Sequence, residues 1–120
     1  RADLAKLTLA VEKPFLTEAP CLIVIFKEWW SQKEDGTRDK NYYVTESACL
    51  ATGLLINALR NAGYASLTYT PAPPTFLREL LGRPEGETPI MVLCVGKPDP
   101  SYELPKLTRK ELGEFTSFFE

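Results

Sequence analysis

The sequence contains no histidine among its 120 residues. A Ser-His-Asp or Cys-His nucleophile system cannot be assembled from this chain alone. Histidine-based zinc or copper sites are excluded for the same reason. Proton transfer near neutral pH would fall to a shifted carboxylate, a lysine, a cysteine or a bound cofactor. A strong charge of either sign is also lacking. The 14 Lys+Arg against 16 Asp+Glu leave a formal net charge of −2, which gives no electrostatic footprint for nucleic acid. The longest uninterrupted apolar runs, Cys21–Phe26 and Ile90–Val95, fall well short of the about 20 residues that a membrane helix needs. No basic start followed by an apolar core and a cleavage site is visible. The expectation is a cytoplasmic chain with no membrane segment and no nucleic-acid partner.

Cysteine is scarce and odd in number: Cys21, Cys49 and Cys94 stand far apart with no CxxC spacing. That argues against a metal knuckle or a thioredoxin-like motif, and no metal site is expected. Each cysteine sits among apolar neighbours and reads as a small buried hydrophobe in a reducing compartment. A reactive thiol is the lesser reading.

What is present is ordinary for a globular domain: 44% hydrophobic and 25% charged residues, too apolar and too nearly neutral for intrinsic disorder. The length allows one domain, residues 1–120. The chain opens Arg1-Ala2-Asp3-Leu4 without Met, and Leu4, Leu7 and Val11 already follow helical spacing. It therefore reads as a piece of a longer chain, a partial domain whose opening helix ends near Lys13, because Pro14 disfavours helical geometry just before it. Residues 17–20 read as a turn. Cys21–Phe26 is short, continuous and β-branched, as in a strand buried on both faces. Ser31–Asn41 is polar, with Asp35-Gly36 as a turn signal, and reads as a solvated loop. Trp29 and Trp30 at its edge read as a pocket cover or as a rim of the core.

The strongest helical pattern runs from Val44 to Ala62 and stops at Gly63. It holds a cluster of small residues, Ala48, Cys49, Ala51, Thr52 and Gly53. A mid-helix Gly costs about 1 kcal/mol against Ala, which a close helix packing would offset, within the subunit or across a dimer. Ala65–Thr70 alternates as a strand, ended by Pro71. A short helix is expected from Pro73-Pro74-Thr75 through Leu81, and Ile90–Val95 reads as a second buried strand. Residues 97–120 carry Pro98, Pro100 and Pro105 with scattered Leu and Phe anchors. They read as an extended carboxy-terminal arm that lies on its own domain or on a neighbouring subunit. Helices and strands together give an α+β or α/β layered domain.

Three groups of residues, taken in order, resemble a known family. Lys13-Pro14-Phe15-Leu16-Thr17-Glu18-Ala19-Pro20 leads into a strand ending Ile25-Phe26-Lys27. Lys40-Asn41-Tyr42-Tyr43 opens the small-residue helix ending Asn61-Ala62-Gly63. Thr68-Tyr69-Thr70-Pro71 precedes Phe76-Leu77-Arg78-Glu79-Leu80-Leu81-Gly82-Arg83-Pro84, then Val95-Gly96-Lys97-Pro98 and Leu107-Thr108-Arg109-Lys110. The set resembles the carboxy-terminal half of the nitroreductase superfamily, on the branch of iodotyrosine deiodinase and its bacterial homologues.

The resemblance implies an α+β fold with a central mixed sheet flanked by helices and arms exchanged in a homodimer. It implies FMN bound at the dimer interface, where the active site lies. The activity it implies is an oxidoreductase acting on small aromatics: nitroaromatics, quinones or halogenated tyrosines. Electrons would come from a reduced nicotinamide such as NAD(P)H, or from another donor. This accords with the missing histidine, because the flavin carries the hard chemistry.

By the same resemblance Arg109 falls on the FMN phosphate, a task that suits a guanidinium fork. Without the resemblance it reads as a surface arginine beside Lys106 and Lys110. Thr68, Tyr69 and Thr70 fall against the flavin ring, and the Thr70 hydroxyl falls where it can hydrogen-bond the reactive ring nitrogen and favour one-electron steps. Otherwise Thr70 is a strand threonine using its hydroxyl locally. Lys13 falls on a lid lysine that meets a substrate carboxylate, and it reads equally as a surface lysine. The family's amino-terminal phosphate motif and its other lid residues are not among these residues. The alternative is a non-catalytic flavin-binding or dimerisation module, or an inactive fragment.

Overall fold

The computed structural model describes residues 13–119. Residues 13–98 and residues 99–119 fall in separate units. The helix expected before Lys13 lies outside the described residues.

Pro14 starts a helix. It sits in the α region at φ −59° and its carbonyl accepts from Thr17 and Glu18 N–H at 2.9 Å, giving the single turn α1, Phe15–Glu18. Proline is tolerated there because a first-turn N–H has no partner to lose. Ala19 then turns extended, as the residue before Pro20 must.

Strand β1, Cys21–Glu28, follows, and after it come two short strands, β2 (Trp30–Gln32) and β3 (Arg38–Lys40). The stretch expected as a solvated loop is thus a two-stranded antiparallel hairpin. Gly36, at φ +82°, supplies the left-handed position of its turn. Asp35 Oδ1 accepts from the Thr37 N–H at 2.9 Å and from its hydroxyl at 2.6 Å.

Helix α2 spans Val44–Asn61. Its end is a Schellman motif: Gly63 N–H reaches the Arg60 carbonyl at 3.0 Å and Tyr64 N–H the Leu59 carbonyl at 2.9 Å, with Gly63 at φ +83°. The helix packs on β1 and on β4, Ala65–Tyr69. Its buried polar group, Thr52, donates its hydroxyl to the Ala48 carbonyl at 2.7 Å. Apart from the helix's own backbone, no described residue lies within 4 Å of where a Gly53 Cβ would stand.

Helix α3, Phe76–Leu80, seats Leu77 in the core, and the long strand β5, Glu87–Gly96, completes the unit. The sheet order is β1-β5-β4, with both pairings antiparallel. Val92, Leu93, Cys94 and Val95 of β5 form its buried centre. Pro89 is compatible with this central strand for a local reason. The β1 register shifts between Ile25 and Phe26, and β4 pairs only from Val92 to Gly96. Proline therefore sits beside a bulge with one flank unpaired among the described residues, a position at which a strand tolerates it.

The architecture is α+β, as expected. Two burial expectations are corrected. Strand β1 is half-buried to exposed rather than covered on both faces. Cys21 and Cys49 are exposed, and Cys94 alone of the three is buried. Apolar composition marks a surface that wants cover, not one that the same chain covers. Leu50 and Leu54 on α2, 72% and 73% exposed, make the same point.

In the second unit, residues 99–111 carry no helix or strand, and Leu112–Glu114 form a 3₁₀ turn closed by a capping box between Glu111 and Glu114. Leu104, Leu107, Phe118 and Phe119 are exposed.

Candidate functional site

The candidate site grows from the end of β4. Among the described residues this strand lies at a sheet edge, paired only to β5, and four of its five residues are exposed. Tyr69 is the half-buried one, opposite Val92 in the ladder. Its ring meets Phe15 of α1 edge-on, with centroids 5.6 Å apart and planes at 71°. Thr68, paired with Leu93, takes the other face by strand alternation. Thr70 is exposed one residue past the strand, and the next residue, Pro71, is buried. Thr70 is thus an exposed hydroxyl held between two anchored neighbours. Proline also confines the Thr70 backbone to extended geometry.

Lys13 stands two residues before Phe15, half-buried, its carbonyl accepting the Leu16 N–H at 3.0 Å. The Phe15–Tyr69 contact therefore brings the Lys13 segment and the Thr68–Thr70 segment to one place. Arg109 belongs to the unit beginning at residue 99, where it is exposed.

Two open grooves lie elsewhere, and neither is lined by Thr68–Thr70. One, of about 520 Å³, is bordered by Val24, Phe26, Glu28, Arg83 and Glu87. Arg83 grips Glu87 with two charge-assisted hydrogen bonds of 2.7 and 2.6 Å, which hold the Glu87 carboxyl below its ordinary range. The other, of about 570 Å³, runs past Lys27, Asn41, Tyr42 and Ser47. At its edge Asn41 donates to the Glu28 carbonyl at 3.1 Å, and Lys27 donates to Thr45 at 3.0 Å. The tryptophans are capped by cations: Lys27 lies 4.4 Å from the Trp29 ring centre and Arg38 4.0 Å from that of Trp30. Neither indole borders these two grooves.

Burial pushes the Cys94 thiol up, which keeps it protonated and unreactive. Among the described residues no group of acidic residues and cysteines could hold a metal ion. No described helix is long and apolar enough to cross a membrane. Sequence reasoning gave Phe15 no role at the site, because its partner Tyr69 is distant in sequence.

No family model matches the chain. Among curated proteins, the iodotyrosine deiodinase of Haliscomenobacter hydrossis is 46% identical over 99 residues, covering 82% of this chain and 45% of its own length. That of Nematostella vectensis is 46% identical over 114 residues, covering 93% and 43%. The chain thus spans less than half the length of these relatives. Among solved structures, oxidized iodotyrosine deiodinase bound to FMN and 3-iodo-L-tyrosine superposes with a TM-score of 0.68 and 29% identity, over 98% of this chain and 58% of that one. A nitroreductase family protein from Clostridium difficile superposes with a TM-score of 0.64 and 21% identity, over 98% and 68%, a likeness of fold.

The α+β sheet with its displayed strand end is a nitroreductase-superfamily fold. Within that superfamily the chain's sequence kinship is with the iodotyrosine deiodinases.

Proposed function

We propose that the chain is the carboxy-terminal part of an FMN-dependent oxidoreductase that reduces halogenated aromatics of the iodotyrosine type, with nitroaromatics and quinones as further substrates. The observation that carries this reading is its match, over nearly its whole length, to a deiodinase solved with FMN and 3-iodo-L-tyrosine. The residues suit such a cofactor. Thr68 and Thr70 offer exposed hydroxyls at a fixed strand end, and Arg109 offers an exposed guanidinium.

In this reading Thr68, Tyr69 and Thr70 lie against the flavin ring, and the Thr70 hydroxyl hydrogen-bonds its reactive nitrogen. Arg109 takes the phosphate with paired hydrogen bonds, and Lys13 meets the carboxylate of the substrate as a point charge. Bound FMN supplies the electron transfer. Reductive dehalogenation exchanges a carbon–iodine bond for a carbon–hydrogen bond, taking two electrons and one proton and releasing iodide. The electrons come from a reduced nicotinamide or another donor. The working unit is a homodimer with the site at its interface, formed by α2, where Leu50 and Leu54 stand exposed, and by the exchanged arm of residues 97–120. The free thiols fit a reducing, cytoplasmic setting.

The test is the purified full chain with FMN, a reductant and 3-iodo-tyrosine. A flavin spectrum and iodide release are expected. A protein that stays colourless after FMN addition overturns the reading.

A further inference from the structure

A Thr70 hydroxyl that meets the flavin must be aimed, yet among the described residues no hydrogen-bonded partner aims it. Its direction must come from the backbone on either side. On the far side Pro71 is buried and limits Thr70 to extended geometry. On the near side the ladder ends: Tyr69 opposite Val92 is the last rung, and β4 is an edge strand of five residues. A strand end with one hydrogen-bonded flank and four exposed side chains frays readily. What prevents this is the Tyr69 ring, the single half-buried side chain of β4, seated edge-on against Phe15. Phe15 in turn packs on the cluster of Leu77, Val92 and Cys94, and α1 is closed onto the Pro14 carbonyl. A line of contact therefore runs from the core through Phe15 and Tyr69 to Thr70.

We propose that Phe15 is a positioning residue: its ring pair with Tyr69 fixes the end of β4 and so aims the Thr70 hydroxyl at the flavin. The proposal rests on the FMN reading.

The experiment uses the FMN-loaded full chain and measures the separation of the two one-electron midpoint potentials of bound flavin by spectroelectrochemistry, together with FMN affinity. The variants are Phe15→Leu, Phe15→Tyr and Thr70→Ala. Phe15→Leu is expected to move the separation in the same direction as Thr70→Ala and to weaken FMN binding by about two- to tenfold, the range of one aromatic pair. Phe15→Tyr keeps the ring and is expected to keep the wild-type separation. Phe15→Leu combined with Thr70→Ala should add nothing beyond Thr70→Ala, because both act through one hydroxyl. If Phe15→Leu does not fold, Tyr69→Leu breaks the same pair from the strand side and carries the same expectation.

A separation that Thr70→Ala moves and the leucine variants leave unchanged overturns the positioning role while the FMN reading stands. A Phe15→Tyr variant that behaves like Phe15→Leu overturns it too, as does a Thr70→Ala variant with the wild-type separation. If the wild type retains no FMN, both readings fall.

Discussion

The Arg38 guanidinium lies 4.0 Å from the centre of the Trp30 ring while its Nη2 donates to Glu85 at 2.9 Å. One side chain thus joins β3, β2 and the turn that leads into β5. The two contacts differ in strength. The ion pair joins side chains 60% and 71% exposed and contributes about 0–1 kcal/mol, weakened further by salt. The cation–π contact at such a site contributes about 0.5–1 kcal/mol. Arg38→Met is therefore expected to destabilise by about 1 kcal/mol, and most of that loss should persist in high salt. Glu85→Gln should lose its smaller effect there. Urea midpoints at low and high salt check both; equal salt sensitivity in the two variants would mean that Arg38 acts mainly through Glu85.

Gly86 sits beside the same hairpin. Its carbonyl accepts the Trp29 N–H at 2.8 Å, and a Cβ placed on it would fall on the Trp30 carbonyl oxygen and 3.2 Å from the indole. Backbone cannot yield as a flexible side chain does, so Gly86→Ala is expected to cost about 1–3 kcal/mol, the range for overpacking. Gly53→Ala, with open space around it, should be neutral or stabilising in the isolated chain, by up to about 1 kcal/mol. Equal denaturation midpoints for the two variants would count against the steric argument.

The Arg83 clamp lowers the Glu87 carboxyl below its ordinary value of 4.5. A carboxyl held lower in the folded state than in the unfolded chain adds stability above the unfolded value. That contribution disappears as pH falls through the folded value. Glu87→Gln is expected to lower stability at neutral pH and to flatten the acid limb of the stability curve, with the two proteins converging at low pH. Denaturation midpoints from neutral pH down to acid check the sign; parallel curves would show that the pair does not drive the acid loss.

Arg109→Ala is expected to weaken FMN retention by roughly tenfold or more, since a charge-assisted contact of this kind contributes about 1.5–3 kcal/mol. Arg109→Lys should restore charge without the paired geometry and recover only part of the loss. Flavin fluorescence titration measures it, and an unchanged affinity would assign Arg109 to the surface.

Much of this framework is legible in the sequence where one physical signal prevails. The α2 boundaries follow from helical spacing and a glycine at the Schellman position, and Gly63 stands there with φ +83°. The hairpin is not legible: Trp30–Gln32 and Arg38–Lys40 are three residues each, too short and polar for alternation to register. Its Asp35-Gly36 turn is the one visible mark. That Pro14 opens α1 is not legible either, because proline closes a preceding helix and opens a following one equally well. The exposure of Cys21 and Cys49 depends on what covers β1 and α2, which no hydrophobicity pattern states. At the candidate site Thr68, Tyr69 and Thr70 are visible as a contiguous strand end. The Phe15 ring against Tyr69 is not, because the contact joins segments that only the folded sheet brings together.

Strand β5 is the middle member of its sheet and the last of the three to be synthesised. As the polypeptide leaves the ribosome, β1 and β4 emerge ahead of the strand that both pair with, and their backbone groups wait for residues 87–96. Nascent chains halted ahead of Glu87 should accordingly be cut quickly by protease, and those extended past Gly96 should resist. This is a folding order in which assembly depends on the final rung and chaperone need concentrates in the interval before it.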